Sequence, residues 1–167
     1  MKLKLTRKRF SAQLPDTDIE RLVDHCILNT VPIAEMGFLI IRGWLEKHHG
    51  ELVAYYEKLA QEQDDSMGAV EHRILGEFKR RGTALTEATS QVGLALPIYD
   101  NRRLIGHAHK NDVSKAEMAR QIIIPWLDAN QGTVDRFYER AMEVTGMGVE
   151  EARAHFREAY RQASRSS

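Results

Sequence analysis

Cysteine is nearly absent: Cys26 stands alone among 167 residues. No disulfide can form within the chain, which excludes a small scaffold stapled by disulfides. No apolar run reaches the roughly 18 residues needed to cross a bilayer. Proline and glycine are sparse, 4 and 11 residues among many helix formers, which argues against a mainly β protein. Net charge is absent too, with 24 basic residues against 24 acidic. The signatures of common enzymes are missing: there is no G-x-S-x-G, no H-E-x-x-H, no P-loop and no G-x-G-x-x-G. Nothing in the sequence nominates a nucleophile or a general acid/base pair, and a non-enzymatic protein is expected. Acid pairs such as Asp64-Asp65 and Glu150-Glu151 read as solvated helix edges.

What is present is an ordinary globular composition, 43% hydrophobic and 29% charged, at a length that fits one domain. The charges are zoned. Residues 1–10 carry Lys2, Lys4, Arg7, Lys8 and Arg9 without an acid, residues 11–66 are strongly acidic, and residues 67–127 are again basic. Basic zones let a neutral protein meet a polyanion. The first residues lack the apolar stretch of a secretory signal, and a reducing cytoplasmic setting is expected. Residues 1–12 read as a basic tail, 13–162 as a single helical domain, and 163–167 as a frayed end.

Helical periodicity dominates. Ile19, Leu22, Val23, Cys26 and Ile27 recur at one face, behind the capping box Thr17-Asp18-Ile19-Glu20. That face places Cys26 in the core as a packed free thiol. Asn29-Thr30-Val31-Pro32 ends this first helix. A second helix from Pro32 carries the apolar run Phe38-Leu39-Ile40-Ile41, and His48-His49-Gly50 breaks it. Further helical faces run through Tyr55 and Tyr56, through Val70, Ile74 and Leu75, and, behind the capping box Ser114-Lys115-Ala116-Glu117, through Met118, Ile122 and Ile123. Pro125 is expected to kink or stop that last helix, with a restart near Thr133. Thr145-Gly146-Met147-Gly148 is a break, and Val149 to Tyr160 a final helix whose aromatic stripe reads as core. No long internal repeat stands out.

Between these helices, residues 94–99 and 103–109 alternate in polarity around Asp100-Asn101, the pattern of a hairpin. The expected fold is mainly α, six to seven helices around one core with a single two-stranded antiparallel β-hairpin. Its middle, residues 66–112, is winged-helix-like, and residues 113–162 form a C-terminal helical arm. In that reading residues 67–81 and 84–91 are a helix–turn–helix pair and 94–109 the wing. A wing wants cations at its tip, where Arg102 and Arg103 stand. The candidate nucleic-acid contacts are Lys8, Arg9, Arg80, Arg81, Arg102, Arg103 and Lys110 to phosphates, and Thr86, Thr89, Ser90 and Gln91 to bases. Glu87 would oppose phosphate, and no cation sits among the base-facing positions.

His107-x-His109 followed by Asp112 would, on a strand, offer two rings and a carboxylate to zinc or iron. No second such group supports it, and no metal or cofactor is expected. The stretch Met67-Gly68-Ala69-Val70-Glu71-His72, the residues around Leu96-Pro97 and Asp100 to Arg103, and Asp112-Val113 before a long helix together resemble small accessory proteins of actinobacterial phages and prophages. The resemblance covers roughly residues 65–145. It implies a regulatory or host-interaction role and no catalytic residues. The partner is therefore expected to be nucleic acid or, alternatively, a host or partner protein bound through the acidic helices or the C-terminal arm, with no membrane. A homodimer is expected from the prevalence of twofold assemblies.

Overall fold

The computed structural model of this chain describes residues 6–78 and 89–166. The order is β1 (Arg7–Pro15), α1 (Asp16–Asn29), α2 (Ile33–Lys47), α3 (His49–Gln63), α4 (Met67–Glu77), β2 (Thr89–Pro97), α5 (Ile98–Lys110), α6 (Lys115–Thr145) and α7 (Val149–Arg165). The fold class is as expected: mainly α, with seven helices and a single two-stranded antiparallel sheet among the described residues. The strands, however, are not neighbours in sequence. β1, drawn from the supposed basic tail, pairs with β2, Arg7 opposite Pro97 and Pro15 opposite Thr89. Residues 98–110, half of the expected hairpin, are the helix α5. Its inward face is Asp100, Arg103, Leu104, His107 and Ala108, a helical spacing written partly in charged residues, which is why it passes for a turn and a strand.

The chain is a tandem duplication. Leu14-Pro15 recurs as Leu96-Pro97, Asp18 as Asp100, Arg21-Leu22 as Arg103-Leu104, His25 as His107 and Asn29 as Asn111. Ala34-Glu35-Met36 recurs as Ala116-Glu117-Met118, Ile40-Ile41 as Ile122-Ile123, and Trp44-Leu45 as Trp126-Leu127, all at one spacing of 82 residues. The elements obey the same spacing: β1 corresponds to β2, α1 to α5, α2 with α3 to α6, and α4 to α7. Even the left-handed residues match, Thr30 (φ 54°) with Asp112 (φ 59°) and Asp64 (φ 48°) with Gly146 (φ 72°). Asn29 Nδ2 donates to the carbonyl of His25 at 2.8 Å, and Asn111 Nδ2 to that of His107 at 2.7 Å. The repeat is faint along the chain because its matches are scattered, many on buried or half-buried positions, while most of the residues between them differ.

In the ribbon Ser11 lies opposite Gly93, its own equivalent in the other repeat. An approximate twofold axis therefore passes through the middle of the sheet. The inner ribbon residues Ala12, Leu14, Val92, Leu94 and Leu96 close the core against α1, α2, α5 and α6. Two satellite clusters are again equivalents, one around Leu52, Tyr56 and Val70 and the other around Val134, Tyr138 and Ala152. Each repeat's last helix packs on the other repeat's first, α7 on α1 and α4 on α5.

Local signals behave unevenly. Ser114 caps α6 as expected, its Oγ accepting from the amide of Glu117 at 3.0 Å. Thr17, by contrast, lies inside α1, which starts one residue earlier behind Pro15 and has no side-chain cap. Pro125 neither stops nor restarts its helix, since α6 runs unbroken for 31 residues. A proline inside a helix costs about 3 kcal/mol, and the burial of Ile122, Ile123 and Leu127 on either side offsets it. α7 continues through the residues expected to fray, as far as Arg165.

Candidate nucleic-acid interface

A strand turns successive side chains to opposite faces. In β1 the residues Ala12 and Leu14 are buried while Arg9, Ser11 and Gln13 are exposed; in β2 Val92, Leu94 and Leu96 are buried while Gln91 and Gly93 are exposed and Ala95 half-exposed. The outer face of the ribbon is thus a patch of Arg9, Ser11 and Gln13 beside Ala95, Gly93 and Gln91. None of the polar side chains in this patch has a hydrogen-bond partner among the described residues. At one edge Arg7 meets Glu35 at 3.5 Å and lies over the Phe38 ring. At the other, Ser90 Oγ donates to Asp16 at 2.7 Å.

The ribbon stands on a helical base clasped by ion pairs between the repeats. Arg21 bonds Asp18 and reaches across the repeats to Asp128 at 2.6 Å. Its equivalent Arg103 bonds Asp100 at 2.5 Å and reaches Glu46 at 2.9 Å. Arg103 holds the Glu46 carboxyl below its ordinary pKa. Between these clasps His25 meets the edge of Trp126, and His107 that of Trp44, each with ring centroids 4.7 Å apart. Burial holds both histidines toward the neutral form, His107 down to about 4.

Of the expected contact residues, Lys8 and Arg9 lie on the ribbon, and so do Thr89, Ser90 and Gln91, on a strand rather than on a recognition helix. The rest of the expected recognition helix, with Thr86, and Arg80 and Arg81 at the end of the helix before it lie outside the described residues. Arg102 is exposed on α5 and tips no hairpin. Arg103 is 4% exposed and engaged with two carboxylates, so it is structural. Lys110 ends α5 and faces Glu51 at 3.5 Å. His107 and His109 sit on a helix, where residues two apart diverge; His109 Nδ1 instead lies 2.6 Å from the Tyr55 hydroxyl. No group of three metal-ligand side chains occurs among the described residues. Ser11, Gln13, Gly93 and Ala95 join the face without being expected there, although the alternation of Phe10, Ala12 and Leu14 with Arg9, Ser11 and Gln13 marks a strand.

No protein family, curated protein or solved structure matches this chain.

Proposed function

We propose that this chain is a non-enzymatic regulator that binds double-stranded DNA, with the outer face of its ribbon in the major groove. The observation that carries this reading is the pairing of β1 and β2 into a ribbon whose outer face exposes Arg9, Ser11, Gln13 and Gln91, none with a hydrogen-bond partner among the described residues. The major groove of B-DNA admits a two-stranded ribbon as readily as a helix. Arg, Gln and Ser are side chains that bond base edges there, and Arg9 also supplies positive charge. Packing of the ribbon's inner side chains on the clasped helical base preorganises its outer face, which lowers the ordering cost of binding.

Fluorescence anisotropy with a random duplex and with single strands, over a salt series, tests this. The expected result is duplex binding at micromolar concentration or tighter that weakens steeply with salt. Removing Arg9 should reduce the salt slope by about one if it neutralises a phosphate. Absence of binding at low salt, or binding indifferent to Arg9→Ala, Gln13→Ala and Gln91→Ala together, overturns the reading. A second reading, a module for a partner protein, draws on the exposed apolar side chains Leu39 on α2 and Ile98 and Tyr99 on α5. In that case variants of Ile98 and Tyr99, not of the ribbon, abolish capture of the partner.

A further inference from the structure

The two halves of the scaffold are equivalent, but the two halves of the ribbon face are not. Under the approximate twofold, Arg9 corresponds to Gln91, Ser11 to Gly93 and Gln13 to Ala95, and no pair matches in hydrogen-bonding capacity. The clasp residues beneath match closely: Asp18 with Asp100, Arg21 with Arg103, and Glu46 with Asp128. The antiparallel register converts this divergence into two different ends. Arg9 lies opposite Ala95 at one end, and Gln13 lies opposite Gln91 at the other, near the Ser90–Asp16 hydrogen bond. One end is cationic with a methyl beside it; the other is a pair of amides.

The middle of the face is also uneven. A Cβ built on Gly93 would meet nothing within 4 Å. Internal packing therefore does not require glycine at this position, although glycine weakens a strand. A bare glycine on an open strand face permits close approach of a ligand to the backbone, here on the β2 side only.

Resting on the DNA-binding reading above, we infer that the protein recognises an asymmetric duplex site and docks on it in one orientation. The Arg9 and Ala95 end takes a G·C pair with a neighbouring thymine methyl; the Gln13 and Gln91 end takes adenine. The chemistry is that of base edges in the major groove: guanidinium to guanine O6 and N7, carboxamide to adenine N6 and N7, and a methyl side chain to the thymine methyl. A symmetric dimer of one such repeat would be bound to a palindrome. Joining two units in one chain lets the face lose its symmetry while the base keeps it.

Selection from a duplex library with a randomised core, using the purified full chain, tests the inference. Wild type should enrich a non-palindromic site with guanine toward one end and adenine toward the other. The Arg9→Gln, Ala95→Gln double variant makes the two polar rows nearly equal, and it should enrich a near-palindrome with adenine in both halves. Arg9→Ala should lose about 10- to 100-fold on the wild-type site and lose discrimination at the guanine alone. Gly93→Ala should weaken binding while its urea midpoint stays at or above that of wild type. A palindrome enriched by wild type, or duplex binding with no sequence enriched, overturns the inference while the DNA-binding reading stands. Absence of duplex binding at low salt overturns both.

Discussion

The ring of His107 meets the edge of Trp44 across the boundary between the two repeats, with centroids 4.7 Å apart and planes at 73°. His107 is 1% exposed, and neither ring nitrogen has a hydrogen-bond partner within the described structure. A charged imidazolium there would lose its hydration, and the opposing charge of Glu51 does not make up for it, so burial lowers its pKa to about 4. His25 is lowered in the same direction beside Trp126.

Stability should therefore depend on pH in the weakly acidic range. A group whose folded pKa lies below its unfolded value destabilises the fold as protons bind the unfolded chain first. The decline should begin near pH 6.5 and complete near pH 4, at about 3 kcal/mol for His107 alone. Urea midpoints measured from pH 7.5 to 4 should fall, and His107→Phe should flatten part of that slope.

Arg103 and Arg102 are neighbours in sequence with opposite roles. Arg103 is buried against Asp100 and Glu46. Arg103→Ala leaves the Asp100 carboxylate buried with its closest counter-charge removed, and should cost about 3–5 kcal/mol. Arg102→Ala on the exposed side of α5 should stay within about 0.5 kcal/mol of wild type. Equilibrium denaturation of the two variants compares them directly.

Gly106 and Gly37 should tolerate no side chain without a cost in stability. A Cβ on Gly106 would fall 2.2 Å from the Tyr56 hydroxyl and 2.8 Å from Leu52 Cδ1, and one on Gly37 would fall 2.4 Å from Leu94 Cδ2. Gly106→Ala and Gly37→Ala should each lose about 1–3 kcal/mol through overpacking. In the other half, the equivalent of Gly106 is Asp24, which accepts from the Tyr138 hydroxyl at 2.8 Å and pairs with Arg157 at 2.7 Å. Thermal denaturation of Gly106→Ala beside Asp24→Asn should show both equivalent positions destabilised, by crowding in one half and by removal of an ion pair in the other.

Cys26 should be inert in the native protein. It is fully buried, and burial pushes its thiol up to about 11. A thiol-reactive dye at pH 8 should label the folded chain only at the rate of unfolding and label the urea-unfolded chain at once.

Much of the helical content is legible in the sequence. The face through Ile19, Leu22, Val23 and Cys26 forms α1, Ser114 caps α6, and Gly146 ends it, because periodicity, capping and left-handed turns are local properties. The site is not legible in the same way. Arg102 and Arg103 resemble the tip of a wing because charged residues are usually solvated; Asp100 and Arg103 are instead buried together, and only the packing of α5 against α2 shows it. Arg9 and Gln91 both read as nucleic-acid contacts, one in a tail and one on a helix, without any sign that they share one face.

Most of the helices and the lone thiol are legible in the order of the residues; the helix α5 and the duplication from Leu14-Pro15 to Leu96-Pro97 come into view only with the tertiary structure. The partner of each strand is not legible there either. β1 and β2 lie far apart along the chain, and neither buries its apolar side without the other. Their pairing depends on four helices folding into a base with two equivalent seats, and local sequence preference carries no information about a pairing of that range.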